Sequence, residues 1–371
     1  MTQLSWSPQQ DAALTSVATW LRDGAPGQVF RLFGYAGTGK TTLAKHFAEG
    51  LPGKVLYGAF TGKAASVMRK KGCHGASTIH SMIYRTDTDE YGRTIFRLNP
   101  DGIACEAELI IIDECSMVGP DLGRDLLSYG KPVLVLGDPA QLPPVNGAGF
   151  FTDKPNPDVL LTEIHRQALE NPIIRMSIDV REGHRLEFGD HGAAKVIKRS
   201  DLDPKSVLAA DIVLCGMNKT RRAFNNRIRE RKGITQPGPQ RGEKLVCLKN
   251  KRDKGLLNGT LWTVEKQKRS AAPWLQMVVK PEDEPDVTTK VDIKVNTAFF
   301  NGTEDDLDEN ELRLNEHFTF GYCLTVHKSQ GSQWDDVMLF DESGVFRNDA
   351  RRWLYTGLTR AAERLTIVRA V

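Results

Sequence analysis

Gly34-Tyr35-Ala36-Gly37-Thr38-Gly39-Lys40-Thr41 satisfies the pattern G-x-x-x-x-G-K-[ST] at every fixed position. Its flanks tighten the constraint. Gln28 to Phe33 ahead of it is a β-rich apolar run, and Thr42 to Ala48 behind it has helical character. A glycine turn between strand and helix aims backbone N–H groups and the positive end of the helix dipole at an anion. In that arrangement Gly37, Thr38 and Gly39 cradle phosphate, with Thr42 counted among the nucleotide contacts. Lys40 reaches the β- and γ-phosphates, and Thr41 holds Mg²⁺. A chance glycine turn would not need strand, loop and helix in register. The expected ligand is a nucleoside triphosphate, taken here as ATP.

The 371 residues leave room for two or three domains, and 40% hydrophobic with 26% charged residues is an ordinary globular composition. No apolar run reaches the length of a membrane span, and Met1 to Ser5 lacks a signal-peptide pattern. Cysteines at 73, 105, 115, 215, 247 and 323 include no C-x-x-C pair. That argues against zinc, an iron–sulfur cluster or a disulfide framework, and fits a reducing, cytoplasmic setting. A net charge of +3 does not itself point to nucleic acid. Basic residues gather at Lys219–Arg222, Arg227–Lys232 and Lys249–Lys254, and acids at Glu304–Glu311. Such runs are either solvated faces or tracks for a phosphate backbone.

Apolar segments at Lys54–Phe60, Glu108–Asp113, Pro132–Gly137 and Val159–Thr162 alternate with helical stretches. This is the pattern of a parallel sheet covered on both faces. It breaks at about 84–105, where the polar turn Asp87–Gly92 and the alternating run Arg93–Leu98 predict an inserted β-hairpin. A second α/β set starts near Asn171, with strands expected at Asp211–Cys215, Tyr322–Val326, Val337–Phe340 and Leu365–Val368. Short β-like pieces between Leu261 and Phe318 predict a small β-module inserted in it. The expected domains are 1–168 and 169–371.

Leu109 to Glu114 is an apolar strand ending in two acids. After a P-loop, Asp113 supports Mg²⁺ and Glu114 polarises an attacking water, a pair suited to hydrolysis. Val133 to Pro144 is a third strand running into a proline-stiffened loop, whose Gln141 both donates and accepts hydrogen bonds. In a parallel sheet this loop lies at the same carboxyl edge as the P-loop, placing Gln141 to sense the γ-phosphate.

The order of motifs resembles the B branch of superfamily 1 helicases, the RecD-like and phage Dda-like enzymes, over nearly the whole chain. The resemblance implies two RecA-like P-loop domains with parallel sheets, the inserted β-hairpin in the first and an SH3-like module at about 261–318 in the second. Leu257-Asn258-Gly259-Thr260 is similar to that module's lead-in. Ser7 to Ala13 resembles the adenine-reading Q motif, with Gln10 as reader. Thr61–Ala65 and Ser77–His80 resemble segments that touch single-stranded DNA. Leu161–Gln167 resembles the motif whose arginine, here Arg166, reaches the γ-phosphate. Thr325–Gly331 resembles the coupling motif, and Tyr355–Ala361 the one carrying the arginine finger, here Arg360. Gln333 stands where relatives often place a glutamate on the ribose, and His165 is either an adenine-stacking or a packed histidine.

If Lys40 comes from one domain and Arg360 from the other, nucleotide binding draws the domains together and hydrolysis releases them. Thr61, Lys63, Thr78, His80, His327 and Ser329 offer hydroxyl, amine and imidazole groups to a single strand. Phe96 on the hairpin is either a pin that splits the duplex or a packing residue. Trp334 and Trp353 lie in apolar stretches and read as core. The resemblance implies an ATP- and Mg²⁺-dependent helicase moving 5′→3′ on single-stranded DNA. It would be a monomer in the cytoplasm of a bacterial or phage-infected cell. Expected partners are single-strand/duplex junctions and replication or recombination proteins.

Other readings are a translocase that remodels protein or RNA, a small-molecule kinase, a GTPase and a nucleotide-gated DNA-binding scaffold. A kinase has no use for Asp113-Glu114 with two arginines, and Asn218-Lys219-Thr220-Arg221 lacks the aspartate of a guanine-reading motif. An intact set of Lys40, Glu114, Gln141, Arg166 and Arg360 argues against a catalytically dead scaffold. No stretch of domain size is left for a fused nuclease.

Overall fold

The computed structural model describes residues 6–88, 94–143, 149–152, 156–164, 166–249, 251, 254, 256, 258–269, 271–282 and 290–370, except for the side chains of 86, 88, 94–96 and 166–167. The chain divides into two compact units, Met1–Leu186 with Arg351–Thr359, and Glu187–Ala350 with Arg360–Val371.

Helix α1 (Pro8–Arg22) of the first unit starts on a capping box. The Ser7 hydroxyl accepts from the Gln10 N–H, while the Gln10 carboxamide accepts from the Ser7 N–H. Pro8 stands in the first turn, where its missing N–H costs nothing. Ala13, Val17 and Trp20 then bury one stripe. The chain continues through β1 (Val29–Gly34), α2 (Lys40–Glu49), β2 (Val55–Ala59), α3 (Gly62–Lys70), β3 (Ser77–Thr78) and α4 (Ile79–Ile83). The expected hairpin follows as β4 (Tyr84–Thr88) and β5 (Thr94–Leu98), with Thr86 opposite Phe96. The unit continues with β6 (Leu109–Asp113), α5 (Pro120–Leu127), β7 (Val133–Gly137), β8 (Val159–Leu161), α6 (Arg166–Leu169) and α7 (Pro172–Glu182).

The sheet runs β3-β2-β6-β7-β1-β8 with every pairing parallel. Its central strands read as unbroken apolar runs because helices cover both faces. Ile111, Leu134 and Leu136 point into one core with residues of α1, α2 and α3. Ile110, Ile112, Val133 and Val135 point into the other with residues of α4 and α5. The unit extends to Leu186, past the expected boundary at 168, because α6 and α7 pack on the P-loop. A Cβ on Gly37 would meet Ile174 at 3.2 Å and Ala168 at 3.4 Å, and the Arg181 guanidinium lies 3.9 Å over the Tyr35 ring.

The second unit opens with β9 (Gly189–Asp190), β10 (Ala194–Lys198), α8 (Pro204–Ala209), β11 (Ile212–Cys215) and α9 (Asn218–Arg231). Next come β12 (Lys244–Cys247), β13 (Leu261–Gln267), β14 (Trp274–Pro281), β15 (Val291–Asn296), α10 (Ala298–Asn301), α11 (Glu309–Arg313) and β16 (Phe318–Phe320). The chain ends with β17 (Cys323–Thr325), β18 (Trp334–Phe340), α12 (Ala350–Leu358) and β19 (Ala361–Arg369). The main sheet runs β17-β11-β18-β19-β10-β9, parallel except for the β9–β10 pair.

The insert is an antiparallel sheet ordered β15-β14-β13-β12-β16. It is wider than the expected 261–318, because Lys244–Cys247 pairs with strands from both ends of that span. Trp262, Val264 and Phe318 of the insert share one core with Val213 and Met338 of the main sheet. Among the described residues no helix is long and apolar enough to cross a membrane.

Helical period splits the basic run on α9. Arg221, Asn225 and Arg229 recur every fourth residue and are buried, so this face is no phosphate track. Asn225 accepts from the Tyr322 and Cys323 N–H groups at 3.0 Å. Arg229 makes a two-pronged pair with the fully buried Glu243, at 2.8 and 3.1 Å, and caps the Gln236 and Gly238 carbonyls. The Tyr322 hydroxyl and the Gln240 N–H complete the Glu243 shell. Glu243→Gln leaves a buried guanidinium without its counter-charge, so the expected loss of stability is about 3–5 kcal/mol, read by denaturant unfolding. A loss below about 1 kcal/mol would show that the pair does not hold α9 against the insert.

Candidate nucleotide and nucleic-acid site

Strand β1 delivers the P-loop and α2 receives it. Gly37 and Gly39 take φ of 80° and 78°, a left-handed backbone that a Cβ disfavours, and Gly39 caps α2 without a side chain. The first turn of α2 therefore faces the loop, as an anion site requires. Thr38 is fully buried, and its hydroxyl donates to the Tyr35 carbonyl at 2.8 Å. Lys40 Nζ donates to the Gly34 and Tyr35 carbonyls at 2.6 and 3.0 Å, so its ammonium lies inside the cradle. Gln10, buried at the start of α1, donates from Nε2 to the Thr38 carbonyl at 3.0 Å. Thr42 is exposed on the first turn of α2.

The ends of β6 and β7 supply the acids and the amide. Thr41 Oγ1 donates to Asp113 Oδ2 at 3.0 Å, and the Glu114 N–H donates to Asp113 Oδ1 at 2.8 Å. Two oxygens that close match neighbouring positions around Mg²⁺, whose ligands sit at about 2.1 Å in an octahedron. Among the described residues no cluster of three His, Cys, Asp or Glu could hold a metal. A cation here would complete its shell with water and phosphate, as Mg²⁺ does in such sites. Glu114 has φ 52° and ψ 46°, a left-handed conformation unusual for a residue with a long side chain. Gln141 Oε1 is buried with no hydrogen-bond partner among the described residues.

Three further residues were not singled out from the sequence. Tyr355 of α12 lies within the first unit. Its hydroxyl accepts from the Ala36 N–H at 2.8 Å and donates to Asp138 Oδ2 at 2.7 Å. Burial, then the neighbouring Asp138 charge, pushes its hydroxyl pKa well up. Thr356 Oγ1 accepts from the Leu142 N–H at 2.8 Å, next to Gln141. Gln9 accepts from the Thr162 and Glu163 N–H groups, both at 2.8 Å, and donates to the Leu160 carbonyl at 3.1 Å. The signal for Gln9 was its place beside Gln10. Nothing in the sequence pairs Tyr355 with a loop that far away.

The expected DNA-contact residues take several positions. Thr61 and Thr78 are N-caps, accepting from the Ala64 and Ser81 N–H groups at 3.1 and 3.2 Å. They follow β2 and begin at the end of β3, so α3 and α4 start at the same sheet edge as the P-loop. Lys63 and Thr78 are each 7% exposed, while His80 is half-buried between Phe60 and Tyr84.

In the second unit, His327 packs on Phe346 and burial lowers its pKa. Ser329 is fully buried and its hydroxyl donates to the Val326 carbonyl at 2.8 Å, so it builds the turn and does not reach the surface. Gln333 is half-buried, and the 4% exposed Arg360 donates to the Ser332 carbonyl at 3.2 Å. Trp334 and Trp353 are core residues. The side chains of Phe96 and Arg166, and His165 altogether, lie outside the described residues.

The AAA domain family model matches residues 5–200, and the UvrD-like helicase C-terminal domain matches 320–368. The ATP-dependent RecD2 DNA helicase of Deinococcus radiodurans is 30% identical over 90% of this chain and 46% of its own length. The ATP-dependent DNA helicase dda of Enterobacteria phage T4 is 32% identical over 40% of this chain and 37% of its own. The chain thus spans less than half the length of either. A Bacteroides Pif1 bound to single-stranded DNA has a like fold, with a TM-score of 0.59 at 20% identity over 100% of this chain and 93% of that one. Pif1 from Candida albicans gives 0.53 at 18%, over 99% and 94%. With the family model covering more than half the chain and the P-loop edge assembled as described, the chain belongs to the AAA domain family, and the helicases named above are what it is similar to.

Proposed function

We propose that this chain is an ATP-driven motor that moves 5′→3′ on single-stranded DNA and unwinds duplex ahead of it. The observation that carries this reading is one sheet edge in the first unit. Lys40, Thr41–Asp113, Glu114 and Gln141, whose Oε1 has no partner among the described residues, gather there with the capped starts of α3 and α4. The helicase names of the relatives support it, and the polarity rests on the likeness to the B branch.

In this reading Lys40 exchanges two loop carbonyls for the β- and γ-phosphates. Thr41 and Asp113 would hold Mg²⁺, which would supply positive charge to the phosphates when bound. Glu114 takes a proton from the attacking water, and Gln141 orients that water through Oε1, which has no partner among the described residues, or holds the γ-phosphate through its Nε2 donor. Arg166 and Arg360 stabilise charge developing on the γ-phosphate, and Gln10 and Gln333 read base and ribose. Thr61, Lys63, Thr78, His80 and His327 contribute to the strand's path, and Phe96 to splitting the junction. Ser329 shapes its loop.

Strand separation on matched duplexes with a 5′ or a 3′ single-stranded tail tests the proposal. Unwinding from the 5′ tail alone is expected, with DNA-stimulated hydrolysis that falls about 10²-fold or more in Lys40→Ala. Unwinding from the 3′ tail overturns the polarity. Stimulated hydrolysis without unwinding turns the reading to a translocase.

The left-handed backbone at Glu114 costs roughly 1–3 kcal/mol, held in place by its surroundings. Asparagine tolerates that conformation. Glu114→Asn is therefore expected to melt at or above the wild-type temperature while hydrolysis falls about 10²–10⁴-fold. A variant that melts lower and keeps its turnover would refute the assignment.

Tyr355→Phe removes one hydroxyl from the Ala36 N–H and the Asp138 carboxylate. The expected cost is roughly 1–3 kcal/mol in urea unfolding, together with a lower kcat for hydrolysis. Unchanged kcat at reduced stability would make Tyr355 a packing residue only.

A further inference from the structure

The second unit carries a cavity that the proposed motor does not use. It measures about 230 Å³ and lies between α8, α9 and the end of β18. Val207, Leu208, Phe224 and Phe340 give it an apolar floor, with the two phenylalanine rings 4.1 Å apart. Arg199, Arg227 and Arg231 line the same cavity and are all exposed. None of the three guanidiniums has a hydrogen-bond or ion-pair partner among the described residues. The nearby acids are engaged elsewhere. Asp203 accepts from the Lys205 N–H as the cap of α8, and Asp201 accepts from the Ser200 hydroxyl.

Arg227 and Arg231 stand four residues apart on one helix face, where like charges repel. Helical period explains the arrangement. Arg221 and Arg229 turn inward on the stripe already described, and Arg227 and Arg231 emerge at the cavity instead.

From this geometry we infer that the cavity is a docking site for an acidic segment of a partner protein, which inserts one bulky apolar side chain between the arginines. The volume suits such an anchor, since a cavity of about 150 Å³ holds a benzene ring. The three guanidiniums supply planar, multi-pronged donors for Asp or Glu carboxylates flanking it. A nucleic-acid strand fits less well. Every base carries hydrogen-bond donors on its edge. The side chains lining the cavity are aliphatic, aromatic or arginine and offer no acceptor, so a base inserted there would leave its donors unpaired. Phenylalanine or leucine loses nothing polar by entering. Arginine beside aromatic anchors is also the composition in which binding energy concentrates at protein interfaces.

The probe is a fluorescein-labelled peptide, Asp-Asp-Phe-Leu-Asp-Asp, titrated with the full chain and read by fluorescence anisotropy. Saturable binding is expected, weakened at least tenfold by Arg227→Glu with Arg231→Glu. It is expected to weaken likewise when the peptide's Phe-Leu becomes Ala-Ala. Val207→Trp fills the cavity from within and is expected to abolish binding with the arginines intact. Thermal melting checks that each variant keeps its fold. An excess of oligo-dT is expected to leave the peptide bound.

Absence of saturable binding overturns the proposal. So does equal binding of the Ala-Ala peptide, which would make the contact one of charge alone. Displacement by oligo-dT together with loss of oligo-dT affinity in Val207→Trp would assign the cavity to nucleic acid. These readouts need neither nucleotide nor unwinding, so they stand apart from the test of motor activity.

Discussion

In a parallel sheet every strand delivers its following loop to the same edge. That constraint decides where chemistry can sit in the first unit. β1 brings the P-loop to this edge, β6 brings Asp113 and Glu114, and β7 runs into the loop carrying Asp138 and Gln141. β2 and β3 bring Thr61 and Thr78, each capping the helix that follows. The edge holds its order because the strands behind it are anchored on both faces, with Ile110 to Ile112 and Val133 to Leu136 fully buried. Register and function are coupled. A one-residue slip of β6 would move its isoleucines between the two cores and carry Asp113 away from Thr41.

The loops themselves are braced by side chains outside the set proposed for hydrolysis. Gln10 holds the Thr38 carbonyl from α1, while Gln9 holds the chain just after β8. Tyr355 joins the P-loop backbone to Asp138, and Thr356 secures the backbone beside Gln141. The last two residues come from α12, whose chain runs directly on into Arg360 and β19. The helix that fixes two nucleotide-side loops is thus continuous in sequence with the candidate arginine finger. A shift of α12 would be felt by the Ala36 N–H and by Asp138 together.

Much of this was legible in the sequence because it is local. The P-loop needs glycines at fixed places, and apolar runs such as Leu109–Asp113 mark buried strands. The non-local part was not legible. The domain boundary moved because α6 and α7 pack against Gly37 and Tyr35, and nothing near residue 168 encodes that contact. The insert widened because Lys244–Cys247, short and next to charged residues, becomes a strand only by pairing with β13 and β16. The two basic clusters on α9 left open which of their arginines face the core. Folding sorted them by period, turning Arg221 and Arg229 inward and leaving Arg227 and Arg231 outside. The buried serine at 329 shows the converse, since a motif match named the residue but not the direction of its hydroxyl.

Two of the places where the fold departs from its own local rules lie at the proposed site, alongside others elsewhere such as the positive φ of Ala25, Gln28 and Arg347. Gln141 buries an acceptor that has no partner among the described residues, and Glu114 holds a left-handed backbone that its residue type disfavours. Each feature costs stability, and in the proposed reading each is used only once a nucleotide and a water are present. A scaffold selected for stability alone would have relaxed both, since asparagine or glycine suits position 114 better and an apolar residue suits the buried end of Gln141. Under the proposed reading, that cost beside a complete P-loop is what distinguishes a hydrolase edge from a fold that merely resembles one.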